Sequence, residues 1–153
     1  MLTVKNVLHL IRFWPPYLAA GIAVHKFNED ITSITVRMKM WPWNRNYVGT
    51  HFGGSLYSMC DPWYMFILLE HMGSDFIVWD KEATIDFVAP GKGIMYATFE
   101  ISVAKIAELK ETAQDGKKLL PIFTTQILDT EGNTIAQLTK TLYIRKKRAL
   151  LHK

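Results

Sequence analysis

The residues best suited to chemistry lie in one stretch, from Asn46 to Gly73, where a polar, glycine-rich turn leads directly into an apolar run. Within that run, Asp61 is an acid among hydrophobic neighbours. A carboxylate in apolar surroundings has a raised pKa, which brings it closer to the pH at which a general base works. An aspartate that caps a kinked helix is the alternative, and the residues themselves leave both interpretations open.

Two glycines, Gly53 and Gly54, stand at the entrance to the apolar run. Because they lack side chains, backbone N–H groups there can face a ligand, and the start of a helix adds partial positive charge. A tight turn that needs positive φ would also select glycine, and that role is compatible with the first. The pair is therefore a candidate ligand contact.

Other kinds of site find little support in the sequence. The single cysteine, Cys60, has apolar helical neighbours that raise a thiol pKa, so we do not expect a nucleophile there. His51, Asp61 and His71 lack a metal-ligand spacing such as His-x-x-x-His, which argues against a metal site. No Gly-x-Ser-x-Gly elbow is present to hold a serine nucleophile. The sequence also lacks a nucleotide-binding glycine loop, and we expect no cofactor.

Composition bounds the class of protein. The chain has 153 residues, of which 49% are hydrophobic, and this predicts a single domain with a substantial core. Six of its 18 Lys and Arg residues lie from Lys140 onward, where no acid occurs, so the formal charge of +4 is a C-terminal feature. That segment lacks interleaved aromatics beyond Tyr143, and we expect no nucleic-acid partner. One cysteine and no signal-peptide pattern predict a cytoplasmic protein.

Hydrophobic periodicity predicts the helices that position the central stretch. Apolar residues at helical spacing predict an amphipathic helix over residues 3–13, capped by Thr3 and ended by the prolines after Trp14. In the central run the apolar residues surround the axis instead of forming one stripe, which is typical of a buried helix. The run is shorter than the ~20 residues that a bilayer requires, and it contains Asp61 and Glu70, so we expect no membrane span.

The remaining segments predict strands of an antiparallel sheet. Two runs, 22–27 and 31–40, flank a polar turn, and a last hairpin joins 119–128 to 134–145. Between them lie an extended segment, a turn, a strand and a charged, helix-permissive segment, over residues 76–89, 90–93, 94–104 and 105–118. This order predicts an α+β protein whose antiparallel sheet wraps around the central helix. Exposed sheet edges predict a homodimer or a dimer of dimers.

The central motif resembles that of the hotdog-fold thioesterase superfamily, specifically the PaaI-like acyl-CoA thioesterases, and looks closest to a branch filed as a domain of unknown function. That motif is an Asn, a short loop, His-Gly-Gly, and an Asp seven residues after the second Gly. Asn46, Gly53, Gly54 and Asp61 fall at this spacing, and residues 83–93 are similar to the family's third strand and turn. The element order matches over almost the entire chain. The resemblance implies one hotdog domain over 1–153, with the N-terminal helix at 3–13 and a basic tail at 145–153.

The resemblance also implies roles for individual residues. Asp61 would act as general base or nucleophile at a thioester carbonyl, and the Gly53 N–H would polarise the carbonyl oxygen. Asn46 would orient water or Asp61, or else cap its own loop. Family geometry implies that Asp61 and Gly53 of one site come from different subunits. Gly54 is a further candidate substrate contact. Because coenzyme A carries phosphates, the cations Arg145, Lys146 and Lys147 at the end of the last strand either bind its tail or form a solvated terminus.

One departure from the family pattern bears on activity. Phe52 occupies the position of the family's His, and His51 lies one residue earlier. His51 either hydrogen-bonds the substrate carbonyl or packs in the core, and Phe52 is expected to form a pocket wall. Pro62 either kinks the central helix or begins a new helical segment with Asp61 as its cap. Two functions therefore compete: an acyl-CoA thioesterase, and a non-catalytic hotdog protein that binds acyl-CoA or lipid.

Overall fold

A computed structural model describes residues 3–147, which form an α+β structure of five α-helices and one six-stranded antiparallel sheet. In chain order the elements are α1 (Val4–Leu10), α2 (Pro15–Ala20), β1 (Ile22–Phe27), β2 (Ser33–Lys39), α3 (Gly53–Ser58), α4 (Trp63–Met72), β3 (Phe76–Phe87), β4 (Ile94–Glu100), α5 (Val103–Thr112), β5 (Ile122–Leu128) and β6 (Thr134–Lys146).

The N-terminal helix forms where the periodicity predicts it. The Thr3 side chain accepts a hydrogen bond from the Asn6 N–H at 3.3 Å, and a 3₁₀ turn extends α1 to Phe13. The prolines after Trp14 do more than end this helix, because Pro15 is the first residue of α2. Proline suits that position, since its fixed φ is helical and its missing N–H would have no partner there.

The central apolar run is two helices and not one. The segment α3 ends at Ser58 and α4 begins at Trp63, with Pro62 in the capping position. Of the two roles considered for Pro62, the structure shows the start of a new segment, because proline cannot donate the hydrogen bond that would continue α3. The expected cap is wrong, since Pro62 and not Asp61 is the N-cap of α4. The second helix is packed on several sides, and its fully buried residues are Trp63, Tyr64, Ile67, Leu68 and Met72.

The sheet has the strand order β1-β2-β4-β5-β6-β3 and its inward face covers α4. The ring of Tyr64 packs edge-on against Phe99 of β4, and its hydroxyl donates to the Thr124 carbonyl of β5 at 2.6 Å. Hairpins β1–β2 and β5–β6 form as predicted. The antiparallel sheet wrapped around the central helix is therefore confirmed.

Two details of the strand prediction are wrong. The turn expected over residues 90–93 is an irregular connection between strands that do not pair with each other, because β3 pairs with β6 while β4 pairs with β2 and β5. Periodicity alone cannot report such pairing between distant segments. The strand expected to reach residue 104 ends at Glu100, since the Ser102 side chain accepts from the Lys105 N–H at 3.2 Å and starts α5.

Candidate active site

An ion pair at the junction of α3 and α4 holds the predicted acid. Lys140 of β6 donates from Nζ to Oδ1 of Asp61 at 2.6 Å. The lysine side chain is only 1% exposed, whereas the Asp61 side chain is 43% exposed. A buried ammonium requires a paired anion, so this contact fixes both the place and the charge of Asp61.

A second carboxylate shares the same lysine. Oδ2 of Asp80 lies 2.8 Å from Lys140 Nζ, and the Asp80 side chain is 23% exposed. A β-bulge between Asp80 and Glu82 breaks the register of β3 against β6 at this point. The inward face of β3 therefore carries Phe76, Val78 and Asp80 before the bulge and Ala83 and Ile85 after it. The bulge thus turns Ala83 and Ile85 inward in place of Glu82 and Thr84, so that the hydrophobic alternation continues beyond Asp80.

Neighbouring charges set the ionisation of these groups. Burial on its own would raise the pKa of Asp61, but hydrogen bonds with Asp80 and Lys140 outweigh burial and the pKa is lowered. The expected raised pKa of Asp61 is therefore wrong, because the sequence did not show the lysine that faces it. Burial and the hydrogen bond to Asp61 raise the pKa of Asp80 to about 6. Burial lowers the pKa of Lys140, yet its bonds to both carboxylates prevail and raise it.

Sequence analysis missed Lys140 and Asp80, although each leaves a signal in its strand. In β6 the inward positions read Leu138, Lys140, Leu142 and Ile144, so one lysine interrupts an otherwise apolar face. In β3 the inward positions read Phe76, Val78 and Asp80. A charge at an inward position is rarely buried without a partner, and two of opposite sign predict a pair.

The glycine pair lies at the first turn of α3, as expected. No described residue of 3–147 accepts a hydrogen bond from the N–H of Gly53 or Gly54. A Cβ built on Gly53 would lie 3.1 Å from the Phe87 ring, and one on Gly54 would lie 2.4 Å from the Phe52 ring. Close packing of aromatic rings, and not positive φ, is therefore the structural reason for glycine at both positions.

Asn46 caps the loop that precedes α3. Its side-chain oxygen accepts from the Thr50 N–H at 3.0 Å, and its amide donates to Thr50 Oγ1 at 2.8 Å and to the His51 carbonyl at 3.2 Å. All of these hydrogen bonds join the Asn46 side chain to residues of its own loop. Of the two roles considered for Asn46, its contacts match loop capping.

His51 lies in the core. It is 3% exposed, and its Nε2 lies 2.9 Å from the Gly93 carbonyl oxygen, to which it donates as the neutral ring. Burial lowers the pKa of this imidazole, so it stays neutral at pH 7. Its backbone N–H also donates to the Gly91 carbonyl at 2.9 Å. Of the two alternatives for His51, these contacts match the packed core residue.

Phe52 is 57% exposed and lines a cleft of about 420 Å³ together with Gly54, Ser55 and Ser58. Trp43 is 68% exposed and forms part of the lining of this cleft. It stacks on Trp41 at a ring-centroid distance of 5.3 Å.

The residues expected in one site fall into separate groups within a single chain. Asn46, His51 and Gly53 line a cleft of about 350 Å³ beside Phe87, and Asp61 is not part of its lining. Asp61 belongs instead to the cluster with Asp80 and Lys140, which we call the Asp–Lys–Asp cluster.

The predicted basic contacts lie at the far end of the sheet. Arg145 and Lys146 are the last residues of β6 and pair with the start of β3. The Lys147 N–H donates to the Asp75 carbonyl at 2.7 Å. Phe87, which packs on Gly53, is the last residue of β3. At ~3.3 Å per residue, it lies roughly 35 Å from the start of β3, where Arg145 and Lys146 pair. The rest of the expected tail, residues 148–153, lies outside the described residues.

Among residues 3–147, no group of three or more His, Cys, Asp or Glu side chains is arranged to hold a metal ion. None of the helices in this part of the chain is long and apolar enough to cross a membrane.

The fold and its sequence are similar to those of known proteins. The family described as Domain of unknown function (DUF4442) matches residues 6–144. The Pseudomonas aeruginosa protein PA5026, a protein of unknown function described as a probable thioesterase, superimposes with a TM-score of 0.83 at 20% identity, covering 95% of this chain and 97% of that one. Thioesterase HI1161 from Haemophilus influenzae superimposes with a TM-score of 0.70 at 15% identity, covering 99% and 96%. Among curated proteins, no sequence matches this chain significantly.

At these identities the structural neighbours establish the fold alone, whereas the family match spans most of the chain. The sheet wrapped around a central helix is the hotdog fold, and the protein belongs to the DUF4442 family.

Proposed function

We propose that this protein is a thioesterase that hydrolyses acyl-CoA or a related thioester, with Asp61 as the general base or nucleophile. The observation that carries the proposal is the state of Asp61, a half-exposed carboxylate bonded at 2.6 Å to a lysine that is 1% exposed. Its lowered pKa means that it is ionised at neutral pH, and both roles require the ionised form. The thioesterase descriptions of two structural neighbours support the same reaction class.

In the general-base route, Asp61 takes a proton from a water molecule as the water oxygen bonds to the thioester carbonyl carbon. The carbonyl electrons move to oxygen, where the Gly53 N–H donates a hydrogen bond. The C–S bond then breaks, and the thiolate receives the proton that Asp61 holds. In the nucleophilic route, Asp61 itself forms an anhydride with the acyl group and releases the thiolate, and water then hydrolyses the anhydride.

We infer that a second copy of the chain completes this site. Gly53 supplies an N–H without a described acceptor, but the cleft that it lines with Asn46 excludes Asp61. One edge of the sheet is β3, which pairs only with β6 among the described strands and leaves its other edge open. A dimer through such an edge is a common solution for exposed backbone donors and acceptors.

A non-catalytic protein that binds acyl-CoA or lipid is the alternative. It is favoured by Phe52 in place of the family's His and by the low basicity of Asp61, since a weaker base accelerates proton abstraction less. The same pocket would then serve to hold the thioester without cleaving it.

Substitution of Asp61 separates the two functions. In Asp61→Asn, thioester hydrolysis should fall by ~10²–10⁴-fold while the fold is retained, because general-base loss has this typical cost. Asp30→Asn is the matched control: it makes the same change at an exposed position of the β1–β2 turn, away from the β3 edge, and should leave hydrolysis unchanged. Rates should be measured with short, long and aryl acyl-CoAs. Binding without hydrolysis by the wild type would establish the alternative, and an unchanged rate in Asp61→Asn would show that Asp61 is structural.

A further inference from the structure

The Asp–Lys–Asp cluster places two acids on one cation. Lys140 Nζ contacts Asp61 at 2.6 Å and Asp80 at 2.8 Å, so the two carboxylate oxygens are less than two hydrogen-bond lengths apart. Besides the effect of burial, the hydrogen bond between the two acids lowers the pKa of Asp61 and raises that of Asp80. Two carboxylates and one ammonium leave a net negative charge in a site that is mostly enclosed, and one additional proton neutralises it.

The surroundings indicate which acid takes that proton. Oδ1 of Asp80 is buried, and no described residue of 3–147 donates a hydrogen bond to it. An ionised Asp80 therefore holds charge on an oxygen without a donor, which is costly in the protein interior. Asp61 is nearly twice as exposed, at 43% against 23%, and water solvates its charge. An ionised Asp80 is therefore less favourable than an ionised Asp61, and the proton is bound by Asp80.

The other titratable groups that act on the cluster are neutral over the working pH range. Burial raises the pKa values of the Tyr17 and Tyr57 hydroxyls. The centroid of the Tyr57 ring lies 6.0 Å from Lys140 Nζ. Burial also raises the pKa of the Cys60 thiol to about 12. Lys140 itself stays charged, because its bonds to two carboxylates outweigh burial and raise its pKa. Among the described groups that act on the cluster, the acid pair is therefore the one whose charge changes near neutral pH.

We propose that Asp80 is a positioning residue that controls the reactivity of Asp61 by gaining and losing one proton, with Lys140 as the fixed cation between them. When Asp80 is ionised, it competes with Asp61 for Lys140, and Asp61 is the stronger base. When Asp80 is protonated, Lys140 has a single anionic partner and the Asp80 O–H donates to Asp61, which makes Asp61 a weaker base. The kinetic consequence rests on the proposed thioesterase function, but the proton equilibrium does not.

The pH dependence of kcat/KM tests the kinetic consequence. Burial raises the pKa of Asp80 to about 6, so wild-type kcat/KM should fall as the pH decreases through this value. In Asp80→Asn, the side-chain amide that replaces the carboxyl donates permanently and mimics the protonated acid. This variant should be slower at pH 8, by roughly three- to tenfold for each pKa unit lost by Asp61, and should show no step near pH 6. Asp30→Asn should keep the step, and a step that persists in a folded Asp80→Asn would overturn the proposal.

Carboxyl-carbon NMR of the wild-type protein tests the equilibrium without any substrate. Through-bond assignment of the ¹³C-labelled aspartates should show Asp80 titrating near pH 6 while Asp61 stays ionised to lower pH. Titration of both carboxyls below pH 5 would refute the shared proton. This measurement shows whether Asp80 holds the shared proton even if Asp80→Asn does not fold. A wild type without thioesterase activity but with a titrating Asp80 would contradict the proposed function and leave the acid pair established.

Discussion

Replacing Lys140 by Met should destabilise the protein in a way that depends on pH. The lysine side chain is 1% exposed and is the counter-ion of two carboxylates, at 2.6 and 2.8 Å. Removing one partner of a buried ion pair typically costs about 3–5 kcal/mol, because a charge is left in the interior without compensation. Methionine has nearly the length of the lysine stem, so the volume is largely kept. Since Asp61 is 43% exposed and retains water, we expect the lower end, about 3 kcal/mol at pH 7.

The sign of the pH dependence follows from the acids that remain. In the unfolded chain an aspartate titrates near about 3.9. In folded Lys140→Met, burial and mutual repulsion raise the pKa values of Asp61 and Asp80 above this value, so the folded state binds protons more tightly than the unfolded state. The stability of the variant relative to wild type should therefore be best below pH 4 and should decline as the pH rises to 7.

Urea unfolding followed by tryptophan fluorescence measures this loss, at a fixed protein concentration in case the folded protein is an oligomer. A loss of this size corresponds to a fall in Tm of roughly 6–12 °C. Lys81→Met, at an exposed position of β3, is the matched control and should change stability by no more than about 0.5 kcal/mol. The double variant Lys140→Met/Asp80→Asn should recover part of the loss at pH 7. A loss below about 1 kcal/mol, or an equal loss at pH 4.5 and pH 7, would refute the electrostatic reasoning.

Three further predictions concern assembly, the core and the substrate. The protein should be a dimer or a dimer of dimers, and a monomer in light scattering at micromolar concentration would remove the shared site. His51→Ala should lower the free energy of unfolding by about 1–3 kcal/mol, because it deletes a buried ring that is hydrogen-bonded to Gly93. The pH profile of any activity should be unchanged. A fully stable variant with a changed pH profile would show that His51 takes part in the reaction. Charge reversal of Arg145–Lys147 to Glu should raise KM for acyl-CoA with little change in kcat, and the effect should shrink with salt and with a thioester that lacks the nucleotide. An unchanged KM would leave these cations as a solvated strand end.

The family and the main elements could be predicted from the sequence because they depend on local patterns. Residue spacing from Asn46 to Asp61 pointed to the hotdog fold, and the periodicity of β2 and β6 reports which side of each strand is buried. The N-terminal helix with its Thr3 cap follows from the same kind of signal, since capping and amphipathicity involve residues that are close in the chain. The sequence also located Asp61, but it attributed a raised pKa to that residue.

Only the tertiary structure shows which segments that are distant in the chain contact each other. Lys140 lies 79 residues from Asp61, and its contact reverses the direction in which the pKa of Asp61 shifts. The pairing of β3 with β6, and the bulge after Asp80 that accompanies it, likewise depend on register and not on local composition. Electrostatic interactions act through space, and a short-range pattern contains no record of which charges will face each other. The sequence therefore determines the framework and the candidate acid, while the protonation of that acid is a property of the folded sheet.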